Sequence, residues 1–169
     1  RGRVGRSAGG GTYAPAITIG PGSRVSPGLS AAILTVGEVA FQSGSHLDVE
    51  LNGMLPGDEY DRLVSLTSAA IAGCELHATL GFDPAASNDF LIVSAQSLSG
   101  EFVGLPDGTV LTLTNAGSGN SFDFTMLYGD TGALLRYTAP PTGEEIPEPA
   151  SALLVLAGVG VLARRRLRA

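Results

Sequence analysis

Apolar and polar residues alternate through His46-Leu47-Asp48-Val49-Glu50-Leu51, so Leu47, Val49 and Leu51 share one side and Asp48 and Glu50 the other. A period of two is that of a strand with one buried face. The same parity runs through Cys74-Glu75-Leu76-His77-Ala78-Thr79-Leu80, with Cys74, Leu76, Ala78 and Leu80 inward. Cys74 therefore reads as a small core residue, the usual place of an unpaired cysteine. Shorter runs predict further strands at 33–36, 39–42, 63–66, 90–95, 101–103, 110–115, 122–128 and 134–138. Between them recur turn-forming groups such as Gly20-Pro21-Gly22-Ser23, Ser43-Gly44-Ser45, Pro56-Gly57-Asp58, Pro106-Asp107-Gly108 and Gly129-Asp130-Thr131-Gly132. Residues 60–72 fit helix or strand, and no long amphipathic helix pattern precedes residue 150.

The pattern changes at the C-terminus. Ala150 to Ala163 carries no charge and only one side-chain hydroxyl, Ser151. Pro147-Glu148-Pro149 stands before this run, and Arg164, Arg165, Arg166 and Arg168 follow it. As a helix the 14 residues would reach roughly 21 Å, short of the about 30 Å of a bilayer core. A short hydrophobic C-terminal helix of this kind suits a transient membrane signal better than a permanent anchor. The arginine cluster favours the cytoplasmic side, with the body of the chain outside. A buried helix of a soluble domain would show a polar stripe, which is missing here.

This tail resembles the PEP-CTERM sorting signal of Gram-negative bacteria, through the Pro147-Glu148-Pro149 triplet, the apolar run with Gly158 and Gly160, and the arginine cluster. The resemblance implies an exosortase as partner, cleavage in or near the triplet, and delivery to the cell surface or extracellular matrix. Glu148 and its flanking prolines would be substrate residues rather than catalysts. A second possibility leaves the tail uncleaved as an anchor in membrane lipid.

Composition agrees with export. Lysine is absent, Cys74 is the single cysteine, and over residues 1–146 six arginines face 15 acids, a formal charge of −9. One cysteine forms no disulfide within the chain. An acidic surface lacking tryptophan argues against nucleic acid as a partner. The chain opens on Arg1 and a glycine-rich stretch, with no methionine and no apolar leader, which reads as a C-terminal portion of a longer protein or one whose leader has been removed.

Short strands with glycine-rich corners fit a β-solenoid or a β-sandwich, and periodicity alone does not separate them. The stretches Ile19 to Gly37, Phe41 to Gly53, Tyr60 to Val64, Gly73 to Pro84, Phe90 to Phe102 and Leu105-Pro106 look like the C-terminal part of autotransporter-associated, passenger-like β-helix proteins. That resemblance implies a right-handed parallel β-helix with a C-terminal cap. Cys74 departs from it, where a small hydroxyl residue is more usual, and the aromatics of 121–128 suit a cap or hairpin as well as another coil. The expected organisation is a glycine-rich, disordered or truncated segment at 1–16, a β-helix-like domain at 17–138, a flexible linker at 139–146 and the sorting signal at 147–169.

Candidate chemistry in the body is sparse. His46 and His77, the only histidines, fall on the solvent faces of different strands, whereas a hydrolase nucleophile needs a base and an orienting carboxylate beside it. Asp48, Glu50 and Glu75 read as solubilising acids. Asp58-Glu59-Tyr60-Asp61 gathers three acids but has neither EF-hand nor nonapeptide-repeat spacing, so it reads as a solvated loop with Tyr60 packed down. Asp130 reads as a turn residue. No catalytic residue, cofactor or metal is expected. The expected function is an exported structural protein of the surface or matrix; the alternative is a carbohydrate-binding or carbohydrate-active protein on the same scaffold, with surface polysaccharide as partner.

Overall fold

A computed structural model describes residues 12–140. The chain is all-β there, with twelve strands: β1 (Thr12–Ile19), β2 (Arg24–Val25), β3 (Ile33–Phe41), β4 (Ser45–Leu51), β5 (Arg62–Ser65), β6 (Ser68–Ala70), β7 (Cys74–Leu80), β8 (Asn88–Ser94), β9 (Ser97–Ser99), β10 (Val110–Thr114), β11 (Ser121–Gly129) and β12 (Gly132–Tyr137). The segment 60–72, open to either reading from sequence, holds two short strands, β5 and β6. The linker from residue 141 onward and the whole of 147–169 lie outside the described residues, as does 1–11. Strand β1 crosses the domain boundary expected at residue 16.

Two ladders of parallel strands carry most of the chain. In the smaller, β2, β4 and β7 lie side by side. In the larger, β3 pairs with β1 along one edge and with β5 and β6 along the other. Strands β8 and β9 continue the stack beyond β5 and β6. The register repeats: Ser45 faces Cys74, Ile33 faces Arg62 and Ser68 faces Ser97, each 29 residues on. Val39 with Ala69 and Leu63 with Val93 are 30 apart, and earlier pairs such as Arg24 with His46 are 22 apart.

Glycine makes the corner that joins the ladders. Gly22, Gly44 and Gly73 have φ of 71°, 77° and 91°, the left-handed region that a Cβ disfavours. They stack on one another, the Gly22 amide donating to the Gly44 carbonyl at 2.7 Å and the Gly44 amide to the Gly73 carbonyl at 3.2 Å.

Inside, the alternation read from sequence holds in full for β4, where Leu47, Val49 and Leu51 are buried, and in part for β7, where Cys74 and Leu80 are buried but Leu76 and Ala78 only half-buried. Phe90 is the aromatic hub, with the rings of Tyr60, Phe124 and Phe82 at 5.3, 5.8 and 6.2 Å. Fully burying an aromatic of this size contributes about 2–3 kcal/mol.

The far end is antiparallel. Strand β8 joins β5 in parallel on one side and β12 antiparallel on the other, and β11 and β10 extend from β12. Of the two readings for 121–128, the hairpin is the one found. Asp130 and Thr131 form its tip, as expected for a turn, and their carbonyls accept from Leu98 and Ala95 at 2.7 and 2.8 Å.

Three strand expectations are corrected. Residues 33–36 and 39–42 are one strand, because β3 runs unbroken past Gly37 while its neighbour breaks into β5 and β6 at Leu66-Thr67. Residues 101–103 are not a strand. Gly100 and Gly104 turn the chain with φ of 81° and 73° on either side, and a single backbone bond ties the segment to β7, from the Val103 amide to the Cys74 carbonyl at 2.8 Å. The strand near that segment is β9, three residues long, which the polar run Ser97-Leu98-Ser99 did not announce.

Candidate functional site

The outer face of the β2–β4–β7 ladder brings together charged side chains that are far apart in sequence. Parallel register sets Arg24 beside His46, His46 beside Glu75 and Asp48 beside His77. Alternation then points all five outward, opposite the core-facing Val25, Leu47, Val49 and Cys74. The two histidines, placed on separate strands by sequence, have ring centroids 5.0 Å apart at an interplanar angle of 56°.

Polar contacts divide the cluster. The Arg24 guanidinium donates from Nη1 to Asp48 Oδ1 at 2.7 Å and lies 3.0 Å from His77 Nδ1. Asp48 Oδ1 is also 3.6 Å from His77 Nδ1. Glu75 Oε2 sits between the rings, 3.4 Å from His46 Nδ1 and 3.9 Å from His77 Nε2. His46 is the most enclosed member, its side chain 19% exposed against 46% for Glu75 and 43% for His77. Its Nδ1 is buried without a hydrogen-bond partner: the 3.4 Å approach to Glu75 lacks hydrogen-bond geometry. One donor atom from each of His46, Glu75 and His77 falls within 4.8 Å of the others. Two imidazoles and a carboxylate at that spacing form a donor set for a divalent transition metal. The sequence carried one signal for it, the 29-residue offset that superimposes the six residues from His46 on those from Glu75.

Other candidates resolve into packing roles. Asp61 is not in a solvated loop: it is fully buried, and its carboxylate accepts from the Ala32 and Glu50 amides at 2.8 and 2.9 Å. Burial pushes its pKa up to about 6, against the lowering effect of those two bonds. Glu59 caps the Met54 and Leu55 amides at 2.8 and 3.0 Å, and Tyr60 packs down as expected. The three acids of 58–61 thus do not converge. Asp83 accepts from the side chains of Asn115, Ser118 and Asn120 at 2.6–2.7 Å, bonds that hold its carboxyl below the usual range. Burial raises the Cys74 thiol to about 12, the opposite of a reactive thiolate.

An open groove of about 480 Å³ is lined by Ser87, Asn88, Asp89, Arg136, Tyr137 and Thr138. Arg136 binds Asp89 through Nε and Nη2, both at 2.7 Å. Among the described residues neither histidine bonds a hydroxyl group, and no helix is long and apolar enough to cross a membrane. Pro147, Glu148, Pro149, Arg164, Arg165, Arg166 and Arg168, the sites marked by sequence, lie outside the described residues.

No protein-family model, curated protein or solved structure matches the chain.

Proposed function

We propose that this is an exported structural protein of the cell surface or extracellular matrix. In this reading its body is the C-terminal coils of a right-handed parallel β-helix, and residues 147–169 are a PEP-CTERM signal processed by an exosortase. The supporting observation is the 29-residue parallel register running around one apolar core and ending in the β10–β12 hairpin sheet. A coil of that kind extends by adding turns and serves as a stalk. The tail passes transiently through the inner membrane, with Arg164, Arg165, Arg166 and Arg168 on the cytoplasmic side, and Pro147-Glu148-Pro149 is the processing point. Mass spectrometry of the exported protein, from hosts with and without an exosortase, tests the reading. A new C-terminus in or near 147–149 that depends on the enzyme is the expected result; intact Arg168-Ala169 on the exported form would leave a simple anchor and remove the sorting role.

A second reading, a carbohydrate-binding module, draws on the Asp89–Arg136 groove, whose fixed polar rim can meet sugar hydroxyls. It is the weaker of the two because Tyr137 is only 6% exposed and offers little ring face for stacking on a sugar. Gel retardation by surface polysaccharide that is lost in Arg136→Ala would reverse that ranking.

A further inference from the structure

We propose that His46, Glu75 and His77 bind a divalent transition-metal ion of the zinc type, clamping neighbouring strands β4 and β7 on the outer face of the ladder. The inference does not depend on how the tail is processed.

Four observations carry it. The 169-residue chain has two histidines, and the fold brings both to one place. Their donor atoms and that of Glu75 lie within 4.8 Å of one another. Zinc bonds of about 2.0–2.2 Å in a tetrahedron put neighbouring donors about 3.4 Å apart. His46 Nδ1 and Glu75 Oε2 stand at 3.4 Å and His77 Nε2 is 3.9 Å from the same oxygen, so a small ring movement closes the set. Finally, His46 Nδ1 is a buried nitrogen with no hydrogen-bond partner, 3.4 Å from the carboxylate. A metal ion there gives that nitrogen its partner.

Surrounding groups fit the same occupant. Metal on His77 Nε2 requires the proton on Nδ1, and Asp48 Oδ1, 3.6 Å away and outside hydrogen-bond range, becomes its acceptor only once the ring turns toward it. That turn would create the carboxylate–histidine–metal arrangement that orients a ligating ring. Arg24 Nη1, 3.0 Å from His77 Nδ1, would have to withdraw from it while keeping its 2.7 Å bond to Asp48. Magnesium and calcium fit poorly, since both call for several oxygen donors and Asp48, the other nearby carboxylate, is held by Arg24. The exposure of Glu75 and His77 leaves the fourth position to solvent.

Titrating the full chain with Zn²⁺ at pH 7.5, with Co²⁺ as the spectroscopic probe, decides the matter. The expected result is one saturable site, a d–d absorption band, and a rise in unfolding midpoint of roughly 10 °C when free Zn²⁺ is a hundredfold above its dissociation constant. Glu75→Gln and His77→Gln, both on the exposed side, should keep the apo circular dichroism spectrum and bind at least roughly tenfold more weakly. Asp48→Ala should weaken binding by roughly 10–100-fold. Lack of Zn²⁺ binding by the unaltered chain would overturn the proposal, as would equal affinity in His77→Gln.

Discussion

Asp61 is where burial and hydrogen bonding oppose each other most directly. Its backbone pairs with the two segments that its side chain holds: the Asp61 amide donates to the Glu50 carbonyl at 2.9 Å and the Arg62 amide to the Ala32 carbonyl at 3.0 Å. The carboxylate returns the pairing by accepting from the amides of Glu50 and Ala32. Desolvation is the larger influence and raises the pKa from 3.8 to about 6. At 1.36 kcal/mol for each tenfold change in proton affinity, holding the ionised form inside costs at most about 3 kcal/mol. An acid with a raised folded pKa binds its proton more tightly in the native state. Its contribution is therefore fully present below pH 3.8, fades as pH rises, and is gone above about 6. The exposed Asp83 and Asp89 have the opposite sign, since both are lowered by hydrogen bonds, and they remove stability only as pH falls below the ordinary carboxylate range. Asp61→Asn keeps the shape, leaves one buried amide without its acceptor at a cost of about 1–3 kcal/mol, and does not titrate. Urea unfolding of both chains from pH 7.5 to 4.0 should show the original gaining up to about 3 kcal/mol on the variant as pH falls. Parallel curves would refute the reasoning. An advantage that grows as pH rises would mean that the two amide bonds outweigh burial.

Two further outcomes follow from the same architecture. A Cβ on Gly73 would sit 3.0 Å from the backbone N and Cα of Ser43, at a φ that side chains avoid, whereas one on Gly22 would meet nothing within 4 Å. Chemical denaturation should therefore show Gly73→Ala losing about 2–3 kcal/mol and Gly22→Ala about 1 kcal/mol, and equal losses would mean the corner yields freely. Cys74, fully buried and with its thiol raised to about 12, should stay unmodified by an aromatic disulfide reagent until urea unfolds the chain; rapid modification of the native protein would place it outside the core.

Alternation made β4 and β7 legible, since a half-buried strand writes its two faces into successive residues. It failed where the partner strand, not the residue itself, decides the outcome. The run of β3 past Gly37 is held by the amides of Leu66 and Thr67, 29 and 30 residues on, and no local window contains that pairing. Ser97-Leu98-Ser99 is strand because Ser68 to Ala70 lies beside it. His46 and His77 were each placed correctly on an outward face, yet their proximity depends on the register between strands, which parity leaves open. Asp61 was misjudged for a related reason: its acidity suggested water, whereas the two amides it serves belong to chain 11 and 29 residues away.

The stacked corner glycines set a rule for how this chain can change length. Just past Gly44 and Gly73, Ser45 to Leu51 pair residue for residue with Cys74 to Leu80, so loss or gain of a single residue inside either strand would turn its later side chains from core to water. A change of length in the segments between strands carries no such penalty: the pairing of Arg24 with His46 spans 22 residues and that of Ser45 with Cys74 spans 29 in the same ladder. Natural variation in this body should accordingly fall in the loops outside the ladders, such as the one tied to Asp83, and leave the strands at fixed length.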